Sequence, residues 1–107
     1  MINELNDLSI RLPASLDQLK RYGIERAQAE HDYKIVMRQE ALKLRADGMA
    51  ISLIDKVVYG IPAVADARLK RDIAETMYRT AQESINTLKL RMRILDAQIT
   101  REWNSNG

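Results

Sequence analysis

The sequence predicts an all-α protein: a long antiparallel helical hairpin, coiled-coil-like, with a short helix at the bend. Three observations carry this. The 107 residues contain only four glycines and two prolines, and the stretch from Ala63 to Trp103 contains neither. Ala, Leu, Lys, Arg, Glu and Gln, the good helix formers, dominate the composition. The last third of the chain also carries apolar residues in strict steps of four and three: Ala74, Tyr78, Ala81, Ile85, Leu88, Met92, Leu95 and Ile99. This is a 3.5-residue period, the mark of a coiled-coil seam.

The chain is read as one domain, 1–107, and its expected elements follow in order. Residues 1–13 are expected to form a loose N-terminal arm, because Pro13 interrupts the short pattern of Ile2, Leu5, Leu8 and Ile10. A helix is expected over 14–47. Ser15 can cap it, Asp17 suits its first turn and Gly48 suits its end. Its stripe of Leu19, Tyr22, Ala29, Tyr33 and Val36 is flawed by Arg26 and Glu40. A short helix over 50–60 places Ile51, Ile54, Val57 and Val58 on one face and is expected to bury Ile51, Ile54 and Val58. Gly60 and Pro62 stop it. A long helix runs over 63–103, and the tail 104–107 is expected to fray.

Two helices cannot cover every apolar residue of the last helix. Leu90 and Ile94 point away from the seam formed by Tyr78, Ala81, Ile85, Leu88, Met92, Leu95 and Ile99. Self-association into a larger bundle is the expected remedy, so the chain is read as a homo-oligomer.

Several chemistries find no support in the residues. The chain has no cysteine, which excludes a disulfide scaffold and thiolate chemistry. No nucleophile elbow, phosphate-cradling glycine loop or zinc-protease motif occurs, so the chain is read as a non-enzyme without cofactor. The single histidine, His31, has Ala27, Lys34 and Ile35 at the helical positions where a second metal ligand would stand. A helix-turn-helix needs polar base-contacting residues at the start of its second helix, and the short helix here is mostly apolar. No run approaches the ~18 apolar residues of a membrane span and the N-terminus lacks a leader pattern, so a cytoplasmic location is expected.

The formal net charge is +2, and the excess lies at the C-terminal end. Residues 1–60 hold nine basic and nine acidic side chains, while residues 61–107 hold eight and six. In the heptad frame Lys89 and Arg91 flank the seam and are expected to meet acids such as Asp17 and Glu25 on the opposing helix. Arg93 and Arg101 point outward. Together with Lys20, Arg21 and Arg26 they form a candidate basic patch, with Tyr22, Tyr33 and Trp103 as aromatics for base stacking.

The order of features, "AQAEHDYKIVMRQEALKLRADG", then "ISLIDKVVYG", then "RDIAETMYRTAQESINTLKLRMRILDAQITREWN", resembles small helical proteins of bacteriophage and prophage early regions. Over about residues 18–103 the architecture is similar to that of the T4-type recombination mediators. That resemblance implies a helical oligomer that binds single-stranded DNA and helps load a recombinase, with Lys89, Arg91, Arg93 and Arg101 as carried-over basic positions. The expectation is therefore a non-enzymatic accessory protein of DNA replication or recombination in a host cytoplasm. Its partners would be single-stranded DNA or a DNA-bound replication or recombination protein. The alternative is a protein–protein module, such as an adaptor, a host-protein inhibitor or a small virion component, in which Leu90, Ile94 and Trp103 dock a partner helix.

Overall fold

The computed structural model describes residues 1–106, and the chain is a helical hairpin. Helix α1 spans Ile2–Ala46 and helix α2 spans Ile51–Val57. A 3₁₀ turn follows at Val58–Gly60, and helix α3 spans Pro62–Asn106. No strand occurs among the described residues. The chain divides into two compact units. A bend unit comprises Gly23–Met77, and a terminal unit comprises Met1–Tyr22 together with the chain from Tyr78 on. In each unit a segment of α1 runs antiparallel to a segment of α3. Arg26 pairs with Glu75 and Glu30 with Arg71 in the bend unit, and Glu4 pairs with Arg91 in the terminal unit.

The corner between α1 and α2 follows from one glycine. Gly48 has φ +93°, a backbone conformation that L side chains rarely adopt. Its N–H donates to the Arg45 carbonyl at 3.0 Å, and the N–H of Met49 donates to the Leu44 carbonyl at 3.1 Å. This pair of bonds is the Schellman arrangement, which satisfies carbonyls that the end of a helix leaves open. Pro62 then stands at the first position of α3, where its missing N–H costs nothing and its fixed φ suits the helix.

The bend unit has its own core. Tyr33, Ile54, Val58 and Val64 are buried together, and Val36, Met37, Leu44 and Ala67 pack around them. Helix α2 is only seven residues long, so it buries a narrow stripe. Ile54 and the following Val58 are inside, whereas Ile51, in the open first turn, is 59% exposed. The expectation that Ile51 is buried is corrected accordingly. In the terminal unit Leu8, Ile85 and Leu95 are the buried side chains.

Several element boundaries differ from the sequence reading: α1 ends at Ala46, and the short helix expected over 50–60 is α2, Ile51–Val57, followed by the 3₁₀ turn. The loose arm over 1–13 is helix: α1 begins at Ile2 and runs straight through Pro13. The proline deprives the Ser9 carbonyl of its usual N–H partner. What offsets this is packing, since Leu5, Leu8, Leu12 and Ser15 continue, in steps of three and four, the stripe of Leu19 and Tyr22. All six are buried or half-buried. The tail over 104–107 is helical as far as Asn106, and Gly107 lies outside the described residues. Helix α3 starts one residue earlier than expected, on Pro62.

Candidate nucleic-acid interface and helix seam

The seam of α3 is the most regular feature of the chain. Ala74, Tyr78, Ala81, Leu88, Met92 and Ile99 are half-buried, and Ile85 and Leu95 are buried. The same spacing extends back through Arg71 and Ala67 to the fully buried Val64. Leu90 and Ile94 lie off this stripe and are 51% and 42% exposed.

Arg71 occupies a seam position where an apolar residue would be usual, and its surroundings account for it. The guanidinium lies over the Tyr33 ring, 4.4 Å from the centroid. Its Nε and Nη2 donate to Asp72 Oδ1 at 3.1 and 3.0 Å, and Nε lies 3.7 Å from Glu30 Oε2. The hydrogen bond to Asp72, aided by the charges of Asp72 and Glu30, raises its pKa above the ordinary arginine value. One turn away, Arg26 of the α1 stripe pairs with Glu75. The flaw that Arg26 and Glu40 make in the sequence stripe thus has a physical answer. Arg26 meets an acid across the seam, and Glu40 accepts from Lys43 Nζ at 3.1 Å. Polar layers of this kind fix the register of helices that apolar contacts alone would let slide. From the sequence Arg71 is expected to pair with acids on its own helix, as it does with Asp72, and its contact with Glu30 across the seam is not foreseen. The signal was present, because extending the heptad one step back from Ala74 lands on Arg71.

The candidate nucleic-acid residues divide into two groups. Lys20, Arg21, Lys89, Arg93 and Arg101 are exposed and make no ion pair among the described residues. All five belong to the terminal unit. Lys89 and Arg93, one turn apart, share a flank of α3. Arg91 is different: its Nε and Nη2 donate to Glu4 Oε1 at 3.0 and 2.8 Å. The acid that meets it is neither Asp17 nor Glu25. It is supplied by the N-terminal segment, expected to be a loose arm, and Glu4 reaches Arg91 because that segment is helical. The charge excess lies wholly in the terminal unit, which holds eight basic and six acidic residues against nine and nine in the bend unit.

The aromatics differ in access. Trp103 is 80% exposed, Tyr33 is buried beneath Arg71, and Tyr22 is half-buried and accepts a hydrogen bond from Gln18 Nε2 at 3.1 Å. Tyr33 is therefore withdrawn from the set available for base stacking. His31 Nδ1 lies 3.4 Å from Asp32 Oδ1, and Gln28 Nε2 donates to the same oxygen at 2.8 Å. These contacts, the Gln28 bond foremost, hold the Asp32 carboxyl below its ordinary pKa.

The bend unit also carries an open groove of about 510 Å³. Ala29, Val36, Ala63 and Ala67 line it, Ile24 stands at its side, and Glu25, Asp32, Asp66 and Lys70 lie along its rim. It exists because small alanines hold the seam positions there, so the two helices do not fill the space between their flanks. No helix among the described residues is long and apolar enough to cross a membrane. No protein-family model matches the chain, and no curated protein or solved structure matches it.

Proposed function

We propose that the chain is a non-enzymatic, phage-type accessory protein of DNA replication or recombination that contacts single-stranded DNA through the cations of its terminal unit. The observation that carries the reading is the set of exposed Lys20, Arg21, Lys89, Arg93 and Arg101, none claimed by an acid among the described residues. A surface of this kind attracts phosphates by charge alone and reads no sequence. The exposed Trp103 indole adds a face on which one base can stack. Arg91, held by Glu4, contributes less than its neighbours.

A labelled single-stranded oligonucleotide titrated at several salt concentrations tests this. Affinity is expected to fall steeply with salt, with a log–log slope of about −0.7 for each phosphate neutralised. Arg93→Ala and Lys89→Ala should each weaken binding equally for all sequences and make the slope shallower, and Arg91→Ala should do so less. Absence of binding to single-stranded and duplex DNA at low salt would refute the reading. The second reading, a protein–protein module without nucleic acid, is favoured by the exposed Leu90, Ile94 and Trp103.

A further inference from the structure

We propose that the groove of the bend unit is a docking site for a second copy of this chain, and that it receives the outward face of α3 around Leu90 and Ile94. The inference goes beyond the DNA reading: in the assembled particle Arg93 and Arg101 face a second copy's acids, and Lys20, Arg21 and Lys89 remain for phosphates.

The groove and the face match in two respects. The groove is lined by Ala29, Val36, Ala63 and Ala67, with a volume of about 510 Å³. That is room for more than one aliphatic side chain, and small residues allow a helix to approach closely. Leu90 and Ile94, one helical turn apart and about half exposed, present such side chains in line. The charges are complementary. The groove rim carries Glu25, Asp32 and Asp66 against the single cation Lys70. Arg93 adjoins Ile94, and Arg101 lies two turns beyond it on the same outward side. Neither arginine has an ion-pair partner among the described residues, nor has Glu25 or Asp66. Acids unused at the groove thus meet cations unused at the face. Opposite potentials of this kind set orientation and suppress wrong pairings. Every copy carries both a groove and a face, so each copy can offer one to a neighbour and receive the other.

Light scattering coupled to size separation, over a range of protein concentration and without nucleic acid, tests the contact. The face variant is Leu90→Glu with Ile94→Glu, and the groove variant is Ile24→Glu with Asp66→Arg. All four positions are exposed, and far-ultraviolet circular dichroism verifies that helicity is kept. The wild-type chain is expected to give more than one copy per particle, and each variant alone should associate at least about ten-fold more weakly. An equimolar mixture of the two variants should regain association, because the intact groove of one meets the intact face of the other. A wild-type monomer throughout the range would overturn the proposal and leave the groove to a basic helix of another protein. Variants that associate as wild type, or a mixture no better than its components, would overturn it too. Because no oligonucleotide is present, failure here is separate from failure of the DNA reading.

Discussion

In the bend unit three elements converge, and Tyr33, Ile54, Val58 and Val64 close a small core between them. In the terminal unit only two helix segments meet, and among its described residues Leu8, Ile85 and Leu95 alone are buried, with half-buried neighbours along the same line. The charges differ in the same sense. In the bend unit Arg26 pairs with Glu75 and Glu30 with Arg71 across the seam, at partly exposed positions. In the terminal unit Glu4 pairs with Arg91, and Lys20, Arg21, Lys89, Arg93 and Arg101 face solvent. A two-helix seam covers one face of each helix and no more, so a third element, or another molecule, must supply the rest. The bend unit contains its third element in α2, and the terminal unit has none.

Substitutions can sharpen or break this contrast. The largest effect is expected from Leu95→Ala, since Leu95 is 1% exposed in a unit with few other buried side chains. The cost should be about 2–5 kcal/mol. Amide hydrogen exchange should show the loss of protection concentrated in the terminal unit; an equal loss around Val58 and Val64 would show that the two units unfold as one. Next comes Pro13→Ala, which restores the missing backbone hydrogen bond and should stabilise the terminal unit by about 1–3 kcal/mol, read as a higher Tm. An unchanged Tm would mean that the Pro13 turn is already relieved locally. Arg71→Ala removes the stacking on Tyr33 and the pairing with Glu30 at a partly exposed site, and should cost about 1–2 kcal/mol. Arg71→Met keeps the apolar stem and should be nearly neutral in stability while loosening register. The smallest effect concerns Asp32. Its carboxyl is held below the ordinary value of 3.8, so its contribution to stability is present above that value and is lost as pH falls through the lowered one. Gln28→Ala should move the Asp32 titration upward, as followed by NMR.

Much of the fold was legible because the α3 seam obeys a single rule from Ala74 to Ile99, and because Gly48 and Pro62 punctuate the bend in the usual way. The N-terminal segment was misread for a physical reason. Local propensity at Pro13 argues against helix, and tertiary packing of Leu5, Leu8 and Leu12 overrides it. Those three residues already stood in step with Leu19 and Tyr22, so giving periodicity precedence over the breaker would have found the helix. The Glu4–Arg91 pair is hidden for the same reason, since an acid expected in a loose arm has no fixed partner. The Arg71 layer was missed because a charged residue in a seam reads as the end of the pattern. It became intelligible only once Tyr33 and Glu30 were seen beside it. For the five exposed cations, sequence gave position and charge, while their freedom from acids needed the opposing helix in place.

The tight corner at Gly48 and Pro62 also bears on the order of assembly. Glu30 and Arg71, flanking that corner, are 41 residues apart along the chain, whereas Glu4 and Arg91 are 87 apart. Closing the longer loop from an open chain costs about 0.6 kcal/mol more entropy, and contacts near the corner need no such search once α2 has docked. A chain emerging from the ribosome can therefore close its bend unit while the last turns of α3 are still being made. Glu4 waits for a partner made 87 residues later, and the terminal unit zips shut after the bend unit.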